Sequence, residues 1–233
     1  MPTLDPGVER YFQVMDAIAA AARRVGRDPA SIRLVGAAKT VPADRLRPIV
    51  AAGLAIIGEN YLQEAKAKIA ALDLPVSWHF IGHLQTNKAA AAVKLFDLIH
   101  SVDRPALAQA LDRAAARLGK VQDILLEVNM AGEASKSGVA PEAAAALLHT
   151  CMQLPHLRVR GLMTMPPWRP DPEEVRPYFR RLRELRDHLL TFNLPGLALP
   201  ELSMGMSDDF AVAIEEGATL VRIGTALFGP RPH

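Results

Sequence analysis

Several scarcities narrow this sequence before any motif is considered. It holds one cysteine, Cys151, which excludes an intramolecular disulfide framework and an all-thiolate zinc site. Aromatic residues are 5% of the chain, and 27 basic against 25 acidic side chains leave a net charge of +2. So balanced a chain projects no field that would gather nucleic acid or anionic lipid. The longest nearly apolar stretch, Ile49 to Gly58, is about half the length that a membrane span needs. Met1 to Phe12 contain neither the basic cluster nor the apolar run of a secretory signal. Gly-x-Ser-x-Gly and Walker-type loops are also missing. The expectation is a soluble, cytoplasmic protein without a membrane or nucleic-acid partner.

Half of the 233 residues are apolar and 22% are charged, a globular composition of a length that suits one domain, 1–233. Short β-rich apolar runs recur at Leu34–Ala38, Ile56–Gly58, Trp78–Gly82, Leu98–Val102, Ile124–Val128, Val159–Met165, Leu202–Met206 and Leu220–Thr225. Stretches with helical spacing separate them, among them Ala43–Ala52, Leu62–Leu72, Pro105–Leu118, Pro141–Met152 and Pro172–Leu190. Pro42, Pro105, Pro141 and Pro172 stand near helix starts, and Gly53 and Gly119 near helix ends. The pattern predicts the α/β class and a single (β/α)8 TIM barrel, with an extra N-terminal helix near Val8–Val25. The proline-rich loop Met165–Pro172 reads as a stiff surface turn, and Asp208–Glu216 is short for a connecting helix.

A barrel places functional residues at the C-terminal ends of its strands and phosphate after strands seven and eight. Lys39 closes the first run, and alternation puts it on one face with Val35 and Ala37. Small and apolar neighbours would desolvate its amine and favour the neutral form that condenses with carbonyls. The plainer alternative is a strand-end lysine reaching water. Arg222 shares a face with Leu220 and Gly224 inside the last run, so its guanidinium points into the barrel. A buried charge needs compensation, which leaves Glu127 or a ligand as its partner. Ser207 and Asp208 qualify as N-caps after strand seven, and Gly224 with Thr225 offers N–H groups and a hydroxyl after strand eight.

Other side chains carry weaker signals. Asn60 closes the second run, and His79, His83 and His100 lie in or after strands three and four. They lack the His-x-His or His–carboxylate spacing of a metal site, so no metal is expected. The loop Gly132–Gly138 is small and polar, and its Lys136 reads either as a lid contact for an anion or as a solvated lysine. Arg176, Arg180, Arg181, Arg183 and Arg186 alternate with acids at helical spacing, which marks a solvated face rather than an RNA surface.

Five segments stand in order: Gly58-Glu-Asn-Tyr-Leu-Gln-Glu, Trp78-His-Phe-Ile-Gly-His-Leu-Gln-Thr-Asn-Lys, Gly132-Glu-Ala-Ser-Lys-Ser-Gly, Leu202-Ser-Met-Gly-Met-Ser-Asp-Asp and Arg222-Ile-Gly-Thr-Ala-Leu-Phe-Gly. Together they resemble the YggS/PROSC family of pyridoxal phosphate homeostasis proteins, whose fold is similar to the N-terminal barrel of alanine racemase. The resemblance runs from about Leu34 to Gly229, with Ala-Lys-Thr where Ser-Lys-Thr is common in the first motif. It implies an aldimine between Lys39 and pyridoxal 5′-phosphate (PLP). It also implies phosphate contacts from Ser207, Gly224 and Thr225, ring contacts from Met204 and Asn60, and Arg222 at the pyridine nitrogen.

The same resemblance implies a monomer that carries or buffers PLP without catalytic residues, in vitamin B6 homeostasis, and that delivers it to PLP-requiring apo-enzymes. The chain ends soon after the eighth run, so the racemases' C-terminal β-domain is not expected. The alternative is a PLP-dependent amino-acid racemase or related enzyme, with Lys39 as one acid/base and His83 or Lys136 as the other. A third possibility is a barrel for another phosphorylated metabolite, in which Lys39 forms no imine.

Overall fold

The computed structural model describes residues 5–133 and 136–230, so Ala134 and Ser135 of the Gly132–Gly138 loop lie outside the described residues. Helix α1 (Pro6–Arg24) starts where the Asp5 carboxylate accepts from the N–H of Gly7 and Val8, with proline at its first position. Its buried residues Tyr11, Val14, Ile18, Ala21 and Ala22 recur at three- and four-residue spacing, which makes one apolar face.

Eight parallel strands follow: β1 (Arg33–Ala37), β2 (Ile56–Glu59), β3 (Ser77–Phe80), β4 (Leu98–Val102), β5 (Gln122–Glu127), β6 (Leu157–Met163), β7 (Glu201–Ser203) and β8 (Leu220–Ile223). They pair in sequence order, and β8 closes on β1 with Val35 opposite Arg222. The expected barrel is present. Helices α2 (Ala43–Ala51), α3 (Leu62–Leu72), α4 (Ala89–Leu95), α5 (Pro105–Arg117), α6 (Ala144–Met152), α7 (Arg176–Leu190) and α8 (Phe210–Glu215) connect the strands, and α9 (Thr225–Phe228) follows the last. None of the described helices is long and apolar enough to cross a membrane.

Strand alternation divides the core in two. Val35, Ile56, Ile81, Leu98, Leu125, Met163 and Leu220 fill the barrel interior. Leu34, Ile57, Phe80, Ile99, Leu126, Leu202, Val221 and Ile223 pack outward under the helices. Burying one such aliphatic side chain contributes about 2 kcal/mol, so a strand slipped by one residue would forfeit both cores at once.

Differences from the expected elements cluster at the strand ends nearest the site. The last two apolar runs extend to Met206 and Thr225, but the strands end at Ser203 and Ile223. Gly205 explains the first difference. It turns the chain at φ +93°, and an added Cβ there would sit 2.6 Å from Ala213 Cβ, so α8 packs directly on its backbone. Helix α4 opens with four alanines, which give no apolar–polar contrast for spacing to register. The Pro141 and Pro172 segments begin as 3-10 turns before their α-helices, and proline suits their first positions because it has no N–H to leave unpaired there.

Candidate functional site

A cavity of about 220 Å³ opens at the C-terminal ends of β1 and β8 and the loop after β7. Lys39, Ser207, Arg222, Gly224 and Thr225 all line it. Lys39 does not end β1 as expected: the strand stops at Ala37, and Lys39 lies in the following turn, half-buried. The turn closes through Val41 N–H donating to Ala38 O at 2.9 Å, with Thr40 in the left-handed region at φ +65°. The expected face is kept nonetheless, since Ala37 lines the same cavity.

Two loops form the far wall. The Ser207 hydroxyl accepts from Ala226 N–H at 3.2 Å, tying the loop after β7 to the one after β8. Among the described residues, none accepts from the N–H groups of Ser207, Gly224 or Thr225, leaving donors gathered for an anion. A Cβ on Gly224 would lie 3.3 Å from Ala37 O, so a larger residue would crowd the cavity wall. Ser207 and Asp208 are not helix caps: α8 begins at Phe210 and Asp209 takes the cap position. The Asp209 carboxylate accepts from Met206 N–H at 2.6 Å, which holds the loop shut, and burial raises its pKa.

Arg222 is 3% exposed and directed into the barrel. Sequence reasoning offered Glu127 or a ligand as its partner, whereas neutral oxygens hold it. Nη1 donates to Ser203 Oγ at 2.6 Å, and Nη2 donates to Thr164 O at 3.0 Å. Glu127 and Asp209 act on it only through space, pulling its pKa up while burial lowers it to about 10. The guanidinium therefore stays charged at neutral pH. Glu127, also 3% exposed, has its carboxyl pushed up to about 7 by burial, then by Asp103, against the pull of Arg222.

Met204 and Asn60 do not join this cavity. Met204 points outward, fully buried with Leu202 in the core beneath the helices, because it keeps the outward phase of β7. After the Gly205 turn Met206 takes the cavity position instead. Asn60 lines a larger neighbouring groove with Tyr61, His83 and Lys88. A Cβ on Gly82 would lie 2.6 Å from Asn60 O, so that glycine lets the β2 and β3 ends meet. His83 is bonded to Ser137 Oγ at 3.2 Å, and Lys136 pairs with Glu133 at 3.5 Å; neither lines the cavity.

His79 and His100 are buried inside the barrel, and burial lowers both pKa values, that of His79 to about 3. Among the described residues, no group of three or more His, Cys, Asp or Glu could hold a metal ion. Arg45 lines the cavity and was missed by sequence reasoning, as were Glu59, Glu64 and Lys68 beneath the Lys39 turn. Periodicity marks a helix face but not which strand end that face will cover.

A family model, the alanine racemase N-terminal domain, matches residues 14–232. The pyridoxal phosphate homeostasis protein of Aquifex aeolicus is 51% identical over 97% of this chain and 98% of its own length. That of Pseudomonas aeruginosa is 49% identical over 97% of this chain and 96% of its own. The solved structure of PipY from Synechococcus elongatus PCC7942, with PLP bound, superposes with a TM-score of 0.81 at 42% identity, covering 93% of this chain and all of that one. With both the racemase-type barrel and this near full-length identity in common, the chain belongs to the YggS/PROSC family of pyridoxal phosphate homeostasis proteins.

Proposed function

We propose that this protein binds PLP in the cavity between Lys39 and the Ser207 and Gly224 loops and acts in intracellular PLP homeostasis as a carrier or buffer rather than an enzyme. The observation that carries the reading is the convergence of an amine, an anion cradle and a buried donor on one cavity: Lys39, the N–H groups of Ser207, Gly224 and Thr225, and Arg222. These groups match the aldehyde, phosphate and ring nitrogen of PLP. The relatives named for PLP homeostasis and the PLP-bound PipY structure support the same ligand.

When bound, PLP supplies an aldehyde that condenses with amines and a pyridine ring that accepts electrons. The chain's residues divide the work of holding it. Lys39 offers the ε-amine that makes the covalent attachment. The Ser207, Gly224 and Thr225 N–H groups receive the phosphate dianion, and the Thr225 hydroxyl adds a further donor. Arg222 donates and does not give up its proton near neutrality, so it leaves a ring nitrogen unprotonated and the ring a weak electron sink. The two other groups considered as a second acid/base, His83 and Lys136, are engaged by Ser137 and Glu133 away from the cavity. This arrangement suits retention and release of cofactor, including delivery to apo-enzymes, better than proton transfer at a substrate carbon.

The test is borohydride reduction of the PLP-incubated protein, followed by peptide mapping. The expected result is phosphopyridoxyl on Lys39 and its loss from that peptide in Lys39→Ala. Label confined to surface lysines would overturn the cofactor assignment. Lys39-dependent exchange of an amino-acid α-proton at enzymatic rates would overturn the carrier role.

A further inference from the structure

Behind the cavity a line of buried polar groups runs back through the barrel. Arg222 Nη1 donates to Ser203 Oγ at 2.6 Å, Ser203 Oγ lies 2.9 Å from His100 Nδ1, and His100 Nε2 lies 3.0 Å from His79 Nδ1. The contacts join β8, β7, β4 and β3 across the barrel interior, and all four residues are at most 4% exposed. Buried polar groups of this kind are costly unless every member is satisfied, so they need a reason to be there.

One direction through the first three groups gives every donor an acceptor. A guanidinium has donors and no acceptor, so Ser203 Oγ must accept from Arg222. The serine has one proton, and His100 Nδ1 is the acceptor within reach for it. His100 is then the Nε2–H tautomer and donates to His79 Nδ1. Both imidazoles stay neutral for this to hold, in keeping with the way burial and the Arg222 charge depress the His100 pKa. Each donor in such a series strengthens the next acceptor, so the histidines make Ser203 Oγ a firmer anchor for Arg222.

We infer that Ser203, His100 and His79 form a one-way hydrogen-bond relay that positions Arg222 toward the cofactor ring. They are positioning residues, since none lines the cavity. Thr164 O fixes the second terminal nitrogen of Arg222 independently, so the relay controls the tilt of the guanidinium rather than its presence. Without His100 the Ser203 proton loses its acceptor and the hydroxyl is no longer held with a lone pair toward the guanidinium, so that anchor weakens. The inference rests on PLP as the ligand.

The experiment measures PLP affinity and the absorption spectrum of the bound cofactor in Ser203→Ala, Ser203→Thr, His100→Leu and the Ser203→Ala/His100→Leu double variant. Reduced protein is mapped for label on Lys39 in each. Loss of the charge-assisted anchor predicts about a tenfold higher Kd in Ser203→Ala and a displaced absorption maximum, with Lys39 still labelled. His100→Leu reproduces both changes, Ser203→Thr restores affinity and spectrum, and the double variant is no worse than either single one. Normal Kd and spectrum in the single variants overturn the relay, as does additivity or failure of threonine to rescue. Failure of wild-type protein to label on Lys39 is a separate result: it removes the cofactor assignment and the relay's role with it. Thermal melts of every variant separate a misfolded barrel from a misplaced Arg222.

Discussion

Lys68, on α3, donates at 2.6 Å to the carbonyl oxygen of Ala38, the residue immediately before Lys39. The same ammonium meets Glu59 Oε1 at 2.5 Å, and Glu64 Oε2 accepts from Thr40 N–H at 2.9 Å on the other side of Lys39. The turn carrying Lys39 is thus pinned before and after that residue by one cluster, buried at Lys68 and Glu59 and half-exposed at Glu64. Burial raises the Glu59 pKa and Lys68 opposes the rise, so the pair is held against a desolvation penalty.

Replacing Lys68 by methionine strands the Glu59 carboxylate and releases the turn. The expected loss is about 3 kcal/mol of unfolding free energy, read by urea denaturation. The Lys68→Met/Glu59→Leu double variant should recover most of that stability, because it buries no unpaired charge. It should not recover PLP affinity, since the Ala38 carbonyl still lacks its bond from Lys68 and keeps only the one from Val41 N–H. Recovery of both would show that the cluster stabilises the barrel without positioning Lys39.

Glu127 predicts an unusual pH dependence. Its folded pKa of about 7 lies above the ordinary glutamate value, so the folded state keeps a proton that the unfolded chain releases. The sign follows: this contribution is full below about pH 4.5 and is lost as pH rises through about 7, on the order of 3 kcal/mol in all. Glu127→Gln does not titrate. Its stability relative to wild type should climb between pH 4.5 and 7 and level off above. A flat difference across that range would mean that the carboxyl is ionised throughout.

Gly205→Ala tests the loop that presents Ser207. The left-handed backbone disfavours alanine, and the new methyl would meet Ala213 Cβ and Phe210 Cα at 2.6 and 3.0 Å. Destabilisation of at least about 2 kcal/mol is expected, together with weaker binding of PLP as the phosphate loop shifts. Thermal melts with and without PLP would show it, and an unchanged ligand-induced rise in Tm would count against the loop's part in binding.

Much of the site was legible because it depends on local periodicity. Leu220, Val221, Arg222 and Ile223 alternate, so Arg222 had to face inward once the segment was read as a strand. Lys39 and the loops at Ser207 and Gly224 follow from where barrel strands end. The ring contact at Met204 came from the resemblance and not from periodicity: alternation turns Met204 outward, and after the Gly205 turn Met206 lines the cavity.

The sequence by itself determined the order of strands and helices, the face each residue presents and the single interior arginine on β8, since all of these follow from spacings of a few residues. Only the tertiary structure decided the partners. Lys68 meets Ala38 across 30 residues and His100 meets Ser203 across 103. Closure of the barrel sets those distances. The stagger of one strand against the next chooses which inward-facing groups share a level, and no spacing along the chain carries that information.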